Sequence, residues 1–283
     1  MRLPLVTITI PTYNSARTLK ICLGAIKRQT YKNIAVNIID GNSKDNTVKI
    51  AKSFGVKELK KLDGSLLQAR YEGVKMAKGK YTLIFDSDQV LEKTALARAV
   101  EKMEKEKLEM LVFEEDVYKT DTWVEKLFQM DRKVINTISD LSPFTGTAMP
   151  RLFSTDLLKR AYKKIPESMF VHTGGPDHAI VYYECSRMSK RIGVLPKEVK
   201  HMEPSSLGHL MRKFYRWGYT SVIDENFGKY KEVMKRKERL RTGIFTHGLI
   251  IESIGSIILV GLKYVPFKIG YHVAKLKKFN IIK

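Results

Sequence analysis

Cysteine is scarce in this sequence of 283 residues. The two cysteines, Cys22 and Cys185, lie far apart and match no metal-ligand spacing. Neither a disulfide framework nor a cysteine zinc site is therefore indicated. We expect both thiols to be reduced and buried.

Signs of a leader, a repeat or a disordered linker are also lacking. The first residues, MRLPLVTITIPTYN, have no charged head, apolar centre or small-residue cleavage site, which predicts a cytosolic start. No internal repeat or low-complexity segment follows. With 43% hydrophobic residues the chain can bury a sizeable core, so we expect one large domain or two small ones.

Acidic residues are few: the chain has 30 Asp and Glu but 51 Lys and Arg, which gives a formal net charge of +21. Such a surface attracts nucleic acid, anionic lipid headgroups or phosphorylated small molecules. The excess leans toward the C-terminus, because residues 200–283 hold 17 basic and 6 acidic side chains. A basic nucleic-acid-binding protein is the alternative from another class. No helix-turn-helix, zinc or RNA-recognition signature supports it, so no nucleic-acid partner is expected.

Strand-like and helix-like segments alternate along the first part of the chain. Apolar runs predict strands at 5–10, 33–40, 81–85 and 108–116, and helical spacing predicts helices at 15–29, 47–55, 65–79 and 91–106. This order predicts an α/β fold with an open, mostly parallel sheet and helices on both faces. Ligands bind beyond the carboxyl ends of such strands. Segment 117–200 is less regular, and we expect an antiparallel extension and loops there, followed by a helix at 206–223.

Carboxylates stand at the ends of two predicted strands. Asp40 ends one strand, and FDSDQV at 85–90 places Asp86 and Asp88 directly after another. Paired carboxylates can hold Mg²⁺ or Mn²⁺ and leave coordination positions for phosphate oxygens. The alternative is that the pair starts a turn and caps a helix beginning near Leu91.

The order of four motifs resembles the family 2 glycosyltransferases. These are PTYN at 11–14, IIDGNSKDNT at 38–47, ARYEGVKMAKGKYTLIFDSD at 69–88 and the Asp of GGPDH at 174–178. The resemblance is close over residues 1–90 and looser as far as residue 220. It implies the GT-A fold and an inverting transferase that takes a sugar from a nucleotide-diphosphate donor with a divalent Mg²⁺ or Mn²⁺ ion.

The resemblance also implies a donor site. Pro11 and Tyr13 would line the nucleoside pocket, where an aromatic face can stack on the base. Asp40 would contact base or ribose, Arg70 the diphosphate, and Asp86 the sugar or ribose. The commoner form of the motif has a second Asp directly after Asp40, which this chain lacks, so the donor base stays open between UDP and GDP.

The same resemblance implies which residues bind the metal ion and which residue is the general base. Asp88 and His201 would bind the metal ion that stabilises the leaving nucleotide. Asp177 would be the base that removes a proton from the attacking hydroxyl. Alternatively, Asp177 caps the helix that follows it, and one side chain can fill both roles at once.

The run KFYRWG at 213–218 resembles the QxxRW motif of processive relatives, with Lys213 in place of Gln. Arg216 would contact the diphosphate, and Trp217 would form part of the acceptor floor. The changed first residue argues against polymerase behaviour. An ordinary amphipathic helix with basic and aromatic residues is an equal alternative.

The apolar segment at 244–262 is interrupted by His247 and Glu252. A full span needs about 20 largely uncharged residues. We therefore expect an in-plane or monotopic helix pair, with the basic stretch VMKRKERLR at 233–241 facing anionic headgroups. A single marginal transmembrane helix and a buried helix of the core or of a dimer interface are the alternatives.

Together these patterns predict a GT-A domain at 1–225 and a basic, apolar, helical and membrane-associating extension at 226–283. The domain would comprise a nucleotide-sugar-binding half at 1–115 and an acceptor half at 116–225. The expected enzyme lies at the cytoplasmic face of the cell membrane, peripheral or monotopic, and glycosylates a hydroxyl of a lipid-linked or surface glycan. A polyprenyl phosphate acceptor is the runner-up, and a homo-oligomer is left open. Nucleotidyl transfer is less favoured because PTYNSART is not a Gly-rich phosphate loop.

Overall fold

The structure is a computed structural model that describes residues 3–137, 140–144, 148–172, 177–221, 228–230, 232–233 and 248–278. The strands are β1 (Val6–Thr12), β2 (Ile34–Asp40), β3 (Glu58–Lys61), β4 (Tyr81–Ile84), β5 (Gln89–Leu91), β6 (Met110–Val117), β7 (Pro150–Ser154) and β8 (Ile192–His201). The first helices are α1 (Ala16–Lys27), α2 (Thr47–Ser53), α3 (Leu66–Met76), α4 (Ala95–Lys105) and α5 (Trp123–Ile135). The later ones are α6 (Thr155–Tyr162), α7 (Glu167–His172), α8 (Asp177–Met188), α9 (Leu207–Thr220) and α10 (Ile250–Lys278).

The described strands form one sheet in the order β3-β2-β1-β4-β7-β6-β8-β5. Strands β3, β2, β1 and β4 are parallel, as are β6 and β8. Strand β7 runs antiparallel between β4 and β6, and β5 runs antiparallel to β8. The predicted open, mostly parallel α/β sheet is confirmed, and the expected antiparallel extension begins at β7.

Helices cover both faces of the sheet, as predicted. Ile8 and Ile10 of β1 belong to an apolar cluster with α1, α2 and α4. Thr9, between them, faces the other side, where the α-carbon of Gly73 in α3 approaches so closely that a methyl group would lie 2.9 Å from Thr9 Cβ. Helices α3, α6 and α8 form the second apolar cluster there. Strand β1 is buried on both faces because each face has its own helix layer.

Three details of the predicted elements are wrong. Leu91 ends the strand β5 rather than starting a helix, and α4 begins only at Ala95. Val90 and Leu91 are buried by pairing with β8, a long-range contact that outweighs local helix preference. The segment 117–200 is more regular than expected, since it holds α5 to α8 as well as β7 and β8. The charged strand β3 was missed because ELKK lacks an apolar pattern.

Helices α9 and α10 form a layer of their own with α5. Their shared apolar cluster includes Phe128 of α5, Phe214 of α9 and Leu259 of α10. Helix α9 confirms the helix predicted at 206–223. Among the described residues, one helix, Ile250–Lys277, is long and apolar enough to cross a membrane by length and composition, with a mean hydropathy of 1.6. The basic stretch at 234–241 and the start of the apolar segment at 244–247 lie outside the described residues.

Both cysteines are free and buried, as expected. Burial is the main cause that raises the pKa of the Cys22 thiol, and nearby Asp88 and Asp86 add to it. The thiol therefore stays protonated and packs as a small apolar side chain.

Candidate active site

The carboxyl ends of β1 and β2 meet beside an exposed aromatic ring. Thr12 Oγ1 donates to Asp40 Oδ1 at 2.9 Å, and the backbone N–H of Ser43 donates to Asp40 Oδ2 at 2.9 Å. Asp40 is fully buried, so its carboxylate is linked to the exposed edge of the sheet through these hydrogen-bond partners. Tyr13 lies beside Gly41 with its side chain 59% exposed, which leaves a ring available for stacking.

Asp86 is enclosed by two arginines. Arg70 Nη2 donates to Asp86 Oδ1 at 2.7 Å, and Arg151 Nη1 donates to Oδ2 at 3.0 Å. Burial alone would raise the pKa of Asp86, but the two guanidinium groups outweigh it and hold that pKa far below its usual range. The carboxyl group of Asp86 is thus ionised, and each of its oxygens accepts a hydrogen bond from an arginine.

Asp177 reaches the same site from the start of α8. Its Oδ2 lies 2.5 Å from Arg70 Nε, and both side chains are almost fully buried. Arg70 therefore bridges Asp86 and Asp177 with one guanidinium. The predicted position at a helix start is confirmed by α8, while the role of Asp177 as a base stays a prediction.

A ladder of alternating charges continues from Asp86 across the sheet. Arg151 Nη2 donates to Glu115 at 2.8 Å, and Arg132 bridges Glu115 at 2.9 Å and Glu203 at 3.0 Å. Burial opposes ionisation of Glu115, but Arg132 and Arg151 lower its pKa below the ordinary value. Sequence reasoning missed these four residues. The available signal was a pair of glutamates in the buried strand predicted at 108–116, which required cationic partners.

Asp88 is the less tightly held carboxylate of the motif: its side chain is 30% exposed, against 23% for Asp86, and no arginine pairs with it among the described residues. His201 Nε2 lies 3.4 Å from Asp88 Oδ1, and Lys213 Nζ lies 3.6 Å from Oδ2. Pairing of β5 with β8 brings these residues together, because it sets Gln89 opposite His201. Glu203 lies 3.4 Å from the other ring nitrogen of His201. Burial opposes protonation of His201, yet Asp88 and Glu203 raise its pKa above the ordinary value.

Asp88 could hold a divalent ion together with a bound diphosphate, and His201 could join it once its imidazole has lost its proton. No group of three or more His, Cys, Asp and Glu side chains suited to a metal occurs within the described part of the chain. Magnesium is commonly held by one or two carboxylates, substrate phosphates and water. Glu203 behind His201 matches the usual arrangement in which a carboxylate orients a metal-binding histidine.

The last two predicted residues lie on α9, the helix that carries Lys213. Arg216 is exposed one turn beyond Lys213. Trp217 is 41% exposed, and Lys213 Nζ lies 5.4 Å from the centre of its ring. The structure therefore brings Asp177, Arg70, Asp86, Asp88 and His201 together, and Arg216 and Trp217 lie on the helix from which Lys213 reaches Asp88. Pro11, Tyr13 and Asp40 form the neighbouring edge.

The sequence matches a known family over more than half of its length. The family model described as "Glycosyl transferase family 2" matches residues 7–165. Glycosyltransferase GlyG of Streptococcus pneumoniae is 26% identical over 114 residues, 38% of this chain and 38% of that protein. Chondroitin synthase of Pasteurella multocida is 34% identical over 111 residues, 38% of this chain and 12% of that protein. The alignments thus span well under half of these curated relatives.

Solved structures with a similar fold cover nearly the whole chain. S. aureus TarS 1–349 in complex with UDP-GlcNAc has a TM-score of 0.57 at 18% identity, covering 95% of this chain and 83% of that one. The mannosyltransferase PcManGT from Pyrobaculum calidifontis, in complex with GDP-Man and Mn²⁺, has a TM-score of 0.55 at 16% identity, covering 99% of this chain and 83% of that one. At such identities the likeness shows the fold, and it confirms the expected GT-A-like architecture.

Proposed function

The chain belongs to glycosyltransferase family 2, and we propose that it is an inverting transferase that uses a nucleotide-diphosphate sugar. The donor is linked to UDP or GDP, and the acceptor is a hydroxyl of a lipid-linked or surface glycan. UDP-GlcNAc in TarS and GDP-Man in PcManGT support a nucleotide sugar and keep both bases open.

The observation that carries the proposal is the unequal environment of Asp86 and Asp88. Arginines donate hydrogen bonds to both oxygens of Asp86, whereas the cationic neighbours of Asp88 in the described chain, His201 and Lys213, lie at the longer distances of 3.4 and 3.6 Å. A divalent ion held by Asp88 and His201 would supply positive charge to the leaving nucleoside diphosphate. Asp86 would orient the sugar or ribose from this fixed position, since each carboxylate oxygen can accept a second hydrogen bond.

The nucleoside is placed at the ends of β1 and β2. The exposed ring of Tyr13 would stack on the base, with Pro11 behind it in the buried end of β1. Asp40 would support this pocket through Thr12 and Ser43. A direct contact between Asp40 and the base or ribose stays a prediction.

The transfer step needs a base and an arginine that changes partner. The acceptor oxygen bonds to the anomeric carbon while the bond from that carbon to the diphosphate oxygen breaks, and Asp177 takes the hydroxyl proton. In the structure Arg70 engages Asp177. A diphosphate offers this guanidinium two oxygens in matching geometry, so donor binding would draw Arg70 toward the phosphates and release Asp177 for this role.

The membrane surface is the proposed second partner. Helix α10 is attached to α5, because Ser256 donates to Asp131 at 2.6 Å and Lys263 lies 3.3 Å from the same carboxylate. Its other side exposes the isoleucines Ile250, Ile251, Ile254, Ile257, Ile258 and Ile269. A helix attached in this way favours in-plane binding over a free span. With its basic surroundings it suits the anionic inner face of the cell membrane.

Donor binding can be tested on the full chain by thermal stabilisation with UDP, GDP, UDP-GlcNAc and GDP-Man, in Mn²⁺ and then in EDTA. We expect one nucleotide pair to raise the melting temperature in a chelator-sensitive way. The Asp88→Ala variant loses this rise, whereas Asp156→Ala, which removes an exposed carboxylate of α6 at the opposite edge of the sheet, keeps it. A folded wild-type chain that responds to none of the four compounds would contradict the proposal.

A further inference from the structure

Lys213 places a cationic group at the donor site. Its Nζ lies 3.6 Å from Asp88 Oδ2 and 3.9 Å from Glu203 Oε2, with the side chain 13% exposed. Both distances exceed hydrogen-bond length. The carboxylates therefore attract the ammonium by charge while its N–H groups are left available to a further acceptor.

Helix α9 holds this ammonium in a defined direction. His209, Lys213 and Arg216 follow one another on successive turns of one side of the helix. Contact of Lys213 with Asp88 shows that this side faces the site. Phe214, on another side, is packed into the apolar cluster with α5 and α10, which fixes the rotation of the helix.

The alternating charges around Glu203 leave Lys213 associated mainly with Asp88. Arg132 Nη2 already donates to Glu203 at 3.0 Å, and His201 lies at 3.4 Å from the same carboxylate. Glu203 is thus well compensated without Lys213. Asp88, by contrast, has only His201 and Lys213 as cationic neighbours within 4.0 Å among the described residues.

We propose that Lys213 is a positioning residue for the donor diphosphate, a positive charge built into the protein beside the metal-binding carboxylate. This inference rests on the proposed function and adds a group to its site. The ammonium neutralises Asp88 before ligands arrive and donates hydrogen bonds to diphosphate oxygens afterwards. It follows that Lys213 weakens the binding of a metal ion alone and strengthens the binding of a diphosphate without metal.

Two binding measurements on the full chain separate these effects. Free Mn²⁺ is followed by electron paramagnetic resonance without nucleotide, and UDP and GDP are titrated by calorimetry in EDTA. For Lys213→Gln we expect Mn²⁺ to bind at least about threefold tighter. The variant lacks the ammonium 3.6 Å from the Asp88 carboxylate, whose positive charge repels the metal ion. We expect the nucleotide to bind about tenfold more weakly in EDTA, a loss of about 1.4 kcal/mol.

Matched variants separate the position of the charge from its presence. Lys213→Arg keeps the charge and stays near the wild type in both measurements. Lys126→Gln removes an exposed lysine of α5 and changes neither. Lys213→Met preserves the apolar stem beside Trp217 and reproduces both shifts of Lys213→Gln, which guards against an effect of lost packing.

The failures of the two proposals are distinguishable. If the wild type binds UDP or GDP with Mn²⁺ while Lys213→Gln and Lys213→Met match it in both measurements, the role of Lys213 is wrong and the proposed function stands. If the wild type binds neither nucleotide even with Mn²⁺, both proposals are overturned.

Discussion

Asp86 and Asp88 lie one residue apart, and their neighbours separate their properties. Asp86 is ionised between Arg70 and Arg151, and the low pKa of its carboxyl follows from those charges despite burial. Asp88 lies in the turn before β5, where His201 and Lys213 are its cationic neighbours within 4.0 Å among the described residues. In the proposed function, one strand end thus supplies an oriented anion in Asp86 and a metal ligand in Asp88.

The residue-scale prediction concerns the proposed base. Replacing Asp177 with Asn removes the acceptor of the proton and keeps the shape of the side chain. We expect the turnover rate to fall by at least about 100-fold, the usual contribution of a general base. Thermal stabilisation by the donor nucleotide should persist, because the diphosphate contacts are retained. Nucleotide release from the donor, with a membrane lipid extract as source of acceptor, measures the rate.

The control for this variant is Asp156→Asn, which changes an exposed carboxylate of α6 and should leave both turnover and donor binding unchanged. A wild-type rate in Asp177→Asn would exclude the hydroxyl acceptor. A polyprenyl phosphate, which is already an anionic nucleophile and needs no base, would then become the favoured acceptor.

At the scale of elements, α9 and α10 meet through glycines. A methyl group on Gly270 of α10 would overlap with the carbonyl oxygen of Tyr215 in α9, and one on Gly218 of α9 would overlap with the carbonyl oxygen of Phe267. The two backbones thus approach each other at both points. Small residues at such positions are what permits close helix packing.

This contact predicts opposite effects of one substitution at two places in α10. Gly270→Ala should lower the free energy of unfolding by about 1–3 kcal/mol, because the added methyl group forces the helices apart. Gly261→Ala is the matched control in the same helix, since a methyl group added there would meet no neighbouring element of the described chain within 4 Å. It should raise stability by up to about 1 kcal/mol through helix propensity.

Thermal and urea denaturation of both variants check this prediction, together with proteolysis to follow release of α10. Equal effects of Gly270→Ala and Gly261→Ala would mean that the close contact between α9 and α10 does not form in solution.

Local pattern and long-range contact explain which elements could be predicted. Runs such as LVTITI and YTLIF contain the apolar and β-branched residues of buried strands, so β1 and β4 were visible in the sequence. Strand β5 has three residues and depends on β8, more than a hundred positions later. Its pairing places His201 beside Asp88. The charge ladder through Glu115 and Arg132 was missed for the same reason, since only the fold brings its members together.

At the scale of the whole molecule, the donor site and the apolar helix lie on linked elements. Helix α9 carries Lys213, which lies beside Asp88, and packs against α10 on another side. If α10 binds the membrane as proposed, a glycan attached to a lipid would reach Asp177 while its lipid stays in that membrane. The formal net charge of +21, concentrated toward the C-terminus, favours an anionic surface.

The last prediction tests this arrangement by sedimentation with lipid vesicles. The full chain should bind vesicles that contain phosphatidylglycerol more tightly than pure phosphatidylcholine, and added salt should reduce the difference. The double variant Ile254→Glu, Ile258→Glu should bind both kinds of vesicle about tenfold or more weakly. Each isoleucine that becomes buried in the membrane contributes ~1.5–3 kcal/mol to binding. Leu3→Glu, which alters an exposed apolar residue outside α10, is the control. If neither vesicle is bound and light scattering shows a dimer that the double variant dissociates, the isoleucines of α10 form an interface between copies instead of a membrane surface.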